Sequence, residues 1–294
     1  MSSLTRSSTT SSADTSHPWW RRLIPKRAWL YRLDRFIGIP SWIPYIGFHH
    51  VCMFIVASAA TVVAILLAGS ALSLIGSRVY LLEVSYLRSN EERKLPPDVW
   101  ENITSLAPEA IRDTQLSVRL GYFGICARQD SDKWTCDSGV SDLLASKRFT
   151  DPLGILNTVN RIKDNAIFAA PFLISEALSL IALFVLNRFE GWSKDKERYG
   201  ISPELNAFNE KTLLWSSGFA TIFALSAAVW QHVAAATAAT YLEVSAALAV
   251  KAKVGVIAIV LGWLAFGLWI VAFLAMGLMC LAIRWVRKTS ERRL

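Results

Sequence analysis

The chain has 294 residues, of which 53% are hydrophobic and only 18% charged, with a formal net charge of +8. Its mean hydropathy is +0.36, and long apolar runs place it among membrane proteins, not soluble domains. The basic excess collects beside those runs, where it reads as a topology signal and excludes nucleic acid as the partner.

Residues 1–18 are rich in Ser and Thr, without the apolar core of a secretory signal, and read as a disordered cytosolic tail. Targeting is then expected to fall to the first span. Residues 19–46 form a basic, aromatic segment: Trp29, Leu30, Leu33, Phe36 and Ile37 recur at helical spacing, with Arg27, Arg32 and Arg35 between them. Such a helix lies in the interface with its arginines near anionic inner-leaflet lipids. Pro40 and Pro44 end it.

A four-span unit follows over 47–286, with spans at about 48–75, 166–186, 213–248 and 254–286. A hydrocarbon core of ~30 Å needs roughly 20 residues, so the last two spans should tilt or project beyond it. Lys251 and Lys253 mark the expected turn between them. In span one, Ala60, Ala64 and Ala68 form a stripe of small residues, an expected packing face.

Orientation follows from the basic residues near the span ends. The segment before span one carries Arg6, Arg21, Arg22, Lys26, Arg27, Arg32 and Arg35 against Asp14 and Asp34. Arg284 and the tail 287–294 (Arg287, Lys288, Arg292, Arg293 against Glu291) are also basic. Both termini are therefore expected in the cytosol, with the 188–212 loop. The 81–165 loop, with eleven basic and thirteen acidic residues, is expected outside.

That outer loop holds Asn102-Ile103-Thr104, a glycosylation acceptor. Leu116–Ala127 is its best strand candidate, Arg128–Asp132 a polar turn, and Lys133–Cys136 the return. Cys126 and Cys136, at the base of this pattern and on the oxidising side, read as a disulfide closing a hairpin. Gly121 and Gly124 let backbone or bulky side chains approach closely. Asp151-Pro152 reads as an N-cap with proline at the first helical position. It opens a short amphipathic helix (Leu153, Leu156, Val159, Ile162) expected to rest on the outer membrane surface.

Few residues offer chemistry. Cys52 and Cys280 lie in or at the ends of spans and read as small apolar residues. His17, His49, His50 and His232 make no zinc spacing, so neither metal nor cofactor is expected. No phosphate loop, nucleophile elbow or usable acid–base arrangement occurs, and the chain does not read as an enzyme. Glu176 is the acidic residue at the centre of a span, where a charge costs roughly 2.5–3.5 kcal/mol on insertion scales. Two readings stay open: a cation ring in an assembled homo-oligomer, or a satisfied or protonated acid fixing helix register, the latter weighted higher. Gln231 and His232 are its candidate partners. Tyr80-Leu81-Leu82-Glu83-Val84-Ser85 and Tyr241-Leu242-Glu243-Val244-Ser245 echo each other. The echo would bring spans one and three out side by side, with Glu83 and Glu243 at an outer mouth. At the hairpin tip, Asp130, Ser131 and Asp132 resemble the start of a calcium loop, but the later ligands are missing and a solvated turn is the better reading.

Gly121-Tyr122-Phe123-Gly124-Ile125-Cys126, with Trp134 just before Cys136, resembles a family signature: glycine, two apolar residues, glycine, any residue, cysteine, then a second cysteine in the first outer loop. The chain resembles the fungal mating-factor-induced calcium regulators and membrane fusion proteins, whose signature is related in form to that of claudins. The resemblance covers roughly Phe48 to Val286. It implies an all-α membrane protein: a claudin-like four-helix transmembrane bundle with a small disulfide-closed extracellular β-element. It implies a multi-pass plasma-membrane component supporting low-affinity calcium influx, and through it cell fusion, mating and polarised growth. Calcium-channel or fusion-machinery partners are implied as well. A second resemblance, to the fungal cortical-patch and pH-response group, would make the chain a membrane-domain scaffold without transport activity.

Overall fold

The computed structural model describes residues 48–69, 78–86, 115–129, 133–137, 149–188, 207–246 and 250–291. The segments expected over 1–46, the Asn102 acceptor, the Asp130–Asp132 tip, most of the 188–212 loop and the last three residues of the tail lie outside them.

Among the described residues, four helices are long and apolar enough to cross a membrane. The first, α1, is Phe48–Ala68; its 21 residues reach about 31 Å, the thickness of a hydrocarbon core. The polypeptide then enters β1 (Leu82–Tyr86), β2 (Leu116–Leu120), β3 (Ile125–Gln129) and β4 (Thr135–Asp137). An amphipathic helix, α2 (Ile155–Ala166), precedes the second membrane helix, α3 (Ala170–Asn187). The third, α4 (Ala207–Ser245), is followed by β5 (Val250–Val254) and the fourth, α5 (Val256–Glu291).

The membrane helices form a ring in chain order: α1 packs on α3 and α5, and α4 packs on α3 and α5. Helices α1 and α4 are therefore diagonal, which contradicts spans one and three emerging side by side. The interior between them is filled by Val56, Ala182, Ala220, Ala224, Trp269 and Met276. Alanine dominates the buried face of α4, and small residues let helices approach closely where lipid supplies no hydrophobic drive. The stripe expected on span one is corrected: Ala64 is exposed, and α1 packs through Cys52, Val56, Ala59 and Val63, one position earlier. At the far end from the sheet, Arg284 pairs with buried Glu210, tying the start of α4 to the last turns of α5.

All five strands join one antiparallel sheet in the order β4-β3-β2-β1-β5. Its period of two is read directly from the chain: Leu82, Val84, Tyr86, Leu116, Val118 and Leu120 face inward, while Glu83, Ser85, Ser117 and Arg119 face outward. The inward face packs on Ile155, Leu156 and Val159 of α2 and on Ala238, Ala239 and Leu242 of α4. Thirty-nine residues make α4 about 58 Å long, so its last turns leave the bundle and become the post against which the sheet folds.

Four expectations change here. Leu116–Ala127 is not one strand but two, broken at Gly121–Gly124, where the Gly121 N–H donates to the Gly124 carbonyl at 3.0 Å. Tyr122 in that turn is buried edge-on against Phe172, ring centroids 5.9 Å apart, which fastens the sheet to the bundle. The turn expected at Lys251 and Lys253 is strand β5: Val250 and Ala252 alternate with the two lysines and pair with Tyr86 and Val84 of β1. Finally, α2 starts at Ile155, after Gly154 at φ 66°, so Pro152 is not at its first position. Asp151 still caps it from further back, its carboxylate accepting the N–H groups of Ile155 and Leu156 at 2.9 and 2.8 Å. The apolar side of α2 turns to the sheet, not to the membrane surface.

Candidate functional site

Of the residues singled out above, the outer sheet face gathers Cys126, Cys136, Glu83 and Lys253. Cys126 and Cys136 are direct partners in the β3–β4 register and are joined by a disulfide. β4 has only three residues at the sheet edge, so the covalent bond holds what a short ladder cannot. Register continues the same row through Arg119 of β2, Glu83 of β1 and Lys253 of β5.

Arg119 is the centre of that row. Its Nη2 and Nε lie 3.0 and 3.1 Å from Oε2 of Glu83, a charge-assisted pair in a part-buried setting. Its guanidinium also lies 4.5 Å from the Tyr80 ring centroid and 4.1 Å from that of Trp134, within cation–π range. Trp134 carries a second cation, Arg128, at 4.6 Å. Burial raises the Tyr80 phenol above its ordinary value, and the charge and hydrogen bonding of Glu83 raise it further. The motif residues thus stand in one construction: Gly121 and Gly124 make the turn, the cysteines close the edge, and Trp134 stacks on two arginines.

Neither candidate mouth acid lines a mouth. Glu83 is held by Arg119, and Glu243, on α4, accepts the backbone N–H of Ala252 in β5 at 3.0 Å. The sequence echo has no structural counterpart, since Leu82–Tyr86 is a strand and Tyr241–Ser245 is helix. Glu83 ties β1 to β2 instead, and Glu243 ties α4 to the β1–β5 corner. That corner also depends on Gly255, whose N–H donates to the Leu81 carbonyl at 2.9 Å. A Cβ there would stand 1.7 Å from the Tyr80 carbonyl oxygen, so only glycine fits.

Inside the bundle, Ser175 of α3 donates to the Ala220 carbonyl, placing Glu176 level with Ala220. Trp230 donates from its indole to the Ala166 carbonyl, placing Gln231 just beyond the N-terminal end of α3. Eleven residues of helix, roughly 16 Å, separate Ala220 from Gln231. The structure therefore does not bring Glu176 to Gln231, and His232 is exposed on the bundle exterior. Gln231 donates instead to the Ala258 carbonyl at 2.7 Å, with Gly262 leaving it room. One carboxyl oxygen of Glu176 and the indole N–H of Trp269 are buried without a hydrogen-bond partner. Among the described residues no group of three His, Cys, Asp or Glu side chains gathers as a metal site.

Sequence reasoning had not singled out Arg119, Tyr80, Arg128, Gly255 or the pairing of Tyr86 with Asp151. Strand alternation carried part of the signal: Arg119 and Cys126 share the outward face once the turn at Gly121–Gly124 is known.

A family model described as the Ca2+ regulator and membrane fusion protein Fig1 matches residues 104–284, more than half of the chain. No curated protein matches it. The chain belongs to that family.

Proposed function

We propose that this member of the Ca2+ regulator and membrane fusion protein Fig1 family is a plasma-membrane protein that supports low-affinity calcium influx during cell fusion, mating or polarised growth. It acts by regulating a conducting partner and not by conducting through its own bundle. The observation that carries this reading is the filled interior: Trp269, Met276 and Ala residues of all four membrane helices occupy the space between them. Conduction needs wettable, multi-site coordination along a path, and Glu176 has neither of its expected partners beside it. The polar residues are concentrated instead on the sheet, which stands at one end of the bundle and offers a surface to other components.

In this reading both termini are cytosolic, the sheet is extracellular and claudin-like, and no catalytic role is assigned. The positive charges flanking the first and fourth membrane helices support that orientation. Deleting the gene in cells and measuring calcium uptake and fusion tests the proposal. Loss of both, with the tagged protein at growing tips or contact zones, is the expected outcome. Intact calcium uptake together with immobile cortical patches would favour a scaffold instead.

A further inference from the structure

The outer sheet face carries more positive charge than its acids balance. Arg119 is paired with Glu83, but among the described residues no carboxylate pairs with Arg128 or Lys253. Arg128 is half-buried; its Nε is buried without a hydrogen-bond partner, while its guanidinium lies over the Trp134 ring that Arg119 also faces. Arg128, over an indole it shares with the Glu83-paired Arg119, keeps a buried donor unspent, and Lys253 lies beyond. A planar guanidinium fork matches an oxyanion such as phosphate, which accepts two N–H groups at once.

Height decides where that oxyanion comes from. Leu81 and Tyr122 belong to the same apolar cluster as Val63, Leu66, Phe172, Ala227 and Ala258 of the membrane helices, so the sheet begins at the bilayer edge. The row of Arg119, Glu83 and Lys253 stands one residue out from Leu120, and the row of Arg128, Ser117 and Ser85 three residues out. At ~3.3 Å per residue these rows lie about 3 and 10 Å beyond that edge. The polar headgroup layer occupies roughly the first 5–7 Å on each side of a bilayer. The two rows bracket it.

We propose that Arg128, Arg119 and Lys253, framed by Trp134 and Tyr80, bind the phosphate headgroup of an anionic phospholipid in the adjoining leaflet. The unpaired cations select an anionic headgroup over a zwitterionic one, whose own cation they repel.

The test is native mass spectrometry of the full-length, disulfide-intact protein titrated in detergent with phosphatidylserine, phosphatidylcholine or inorganic phosphate. Wild-type protein is expected to retain one phosphatidylserine in preference to phosphatidylcholine, and millimolar inorganic phosphate alone is expected not to displace it. Arg128→Gln should weaken retention about tenfold or more, as the loss of a charge-assisted contact does. Arg128→Lys should restore part of it. Lys253→Gln, at an exposed position that folding tolerates, should weaken it by a smaller factor, and Lys211→Gln at the other end of α4 should leave it unchanged. Equal retention by folded Arg128→Gln or Lys253→Gln protein would overturn the assignment. So would absence of headgroup preference, or displacement by inorganic phosphate, which would mark a free-anion site.

Discussion

Substituting Gly255 by alanine tests the corner where sheet and bundle meet. The added Cβ would lie 1.7 Å from the Tyr80 carbonyl oxygen and 2.7 Å from its carbon. Those are backbone atoms, which cannot rotate aside as a side-chain tip can. Either β5 separates from β1, losing the Gly255 N–H to Leu81 bond and straining the five pairs from Leu82–Val254 to Tyr86–Val250, or α5 shifts from α1. Overpacking a tight site costs typically 1–3 kcal/mol, occasionally more, and the backbone clash puts this substitution at about 3 kcal/mol. For a domain of this size that corresponds to a fall in Tm of roughly 6–12 °C. Gly267→Ala is the internal control: it lies within α5, nothing comes within 4 Å of its Cβ position, and helix propensity favours alanine. It should leave Tm unchanged or raise it slightly. Thermal unfolding of both variants in the same detergent, followed by intrinsic fluorescence, is the assay. A Gly255→Ala protein as stable as the wild type would refute the close approach of β5 to Tyr80.

Replacing Cys126 and Cys136 together by serine should cost about 2–5 kcal/mol, with hydrogen exchange rising in β4 while β1 and β2 stay protected; non-reduced peptide mass spectrometry should find the two cysteines linked, and free thiols would contradict it. The Tyr86 hydroxyl donates to Asp151 at 2.8 Å and accepts the Leu153 N–H, and burial, followed by the Asp151 contact, raises its pKa well above the ordinary value. The folded state therefore keeps the proton that the unfolded state releases near pH 10. Its stabilising effect is whole below that pH and is lost as pH rises above it. Tyr86→Phe should lower Tm by the loss of about 1 kcal/mol at pH 7 and flatten the alkaline decline in Tm between pH 8 and 11. Only part of the decline should go, because burial also raises the Tyr122 phenol. An unchanged slope would show that Tyr86 is not buried as described.

The four membrane helices were legible because a run of apolar residues long enough to span lipid admits few other structures. The β3–β4 edge was legible too, since the two cysteines frame a polar turn. What escaped was everything decided between distant segments. Val250–Val254 alternates like a strand, yet five residues between two long apolar runs look like a turn until β1 is there to pair with them. Leu116–Ala127 is apolar almost throughout, and its break at Gly121 appears only when Tyr122 is needed against Phe172. Glu83, Glu243 and Glu176 read alike in the chain as acids awaiting a ligand. Their settings differ: Arg119 holds the first, β5 backbone the second, and the third keeps one carboxyl oxygen buried without a partner. The alanine stripe on α1 missed by a single position, because the neighbours that choose a helix face are not written in its own spacing.

The central claim is that this protein regulates calcium influx without being the conduit. The most direct measurement is calcium uptake by liposomes containing only the purified, disulfide-intact protein under an inward calcium gradient. The filled bundle predicts uptake no greater than in protein-free liposomes, for wild type and Glu176→Gln alike. Saturable uptake by the wild type that disappears in folded Glu176→Gln protein would contradict it, and would make Glu176 a coordinating group in an assembled pore.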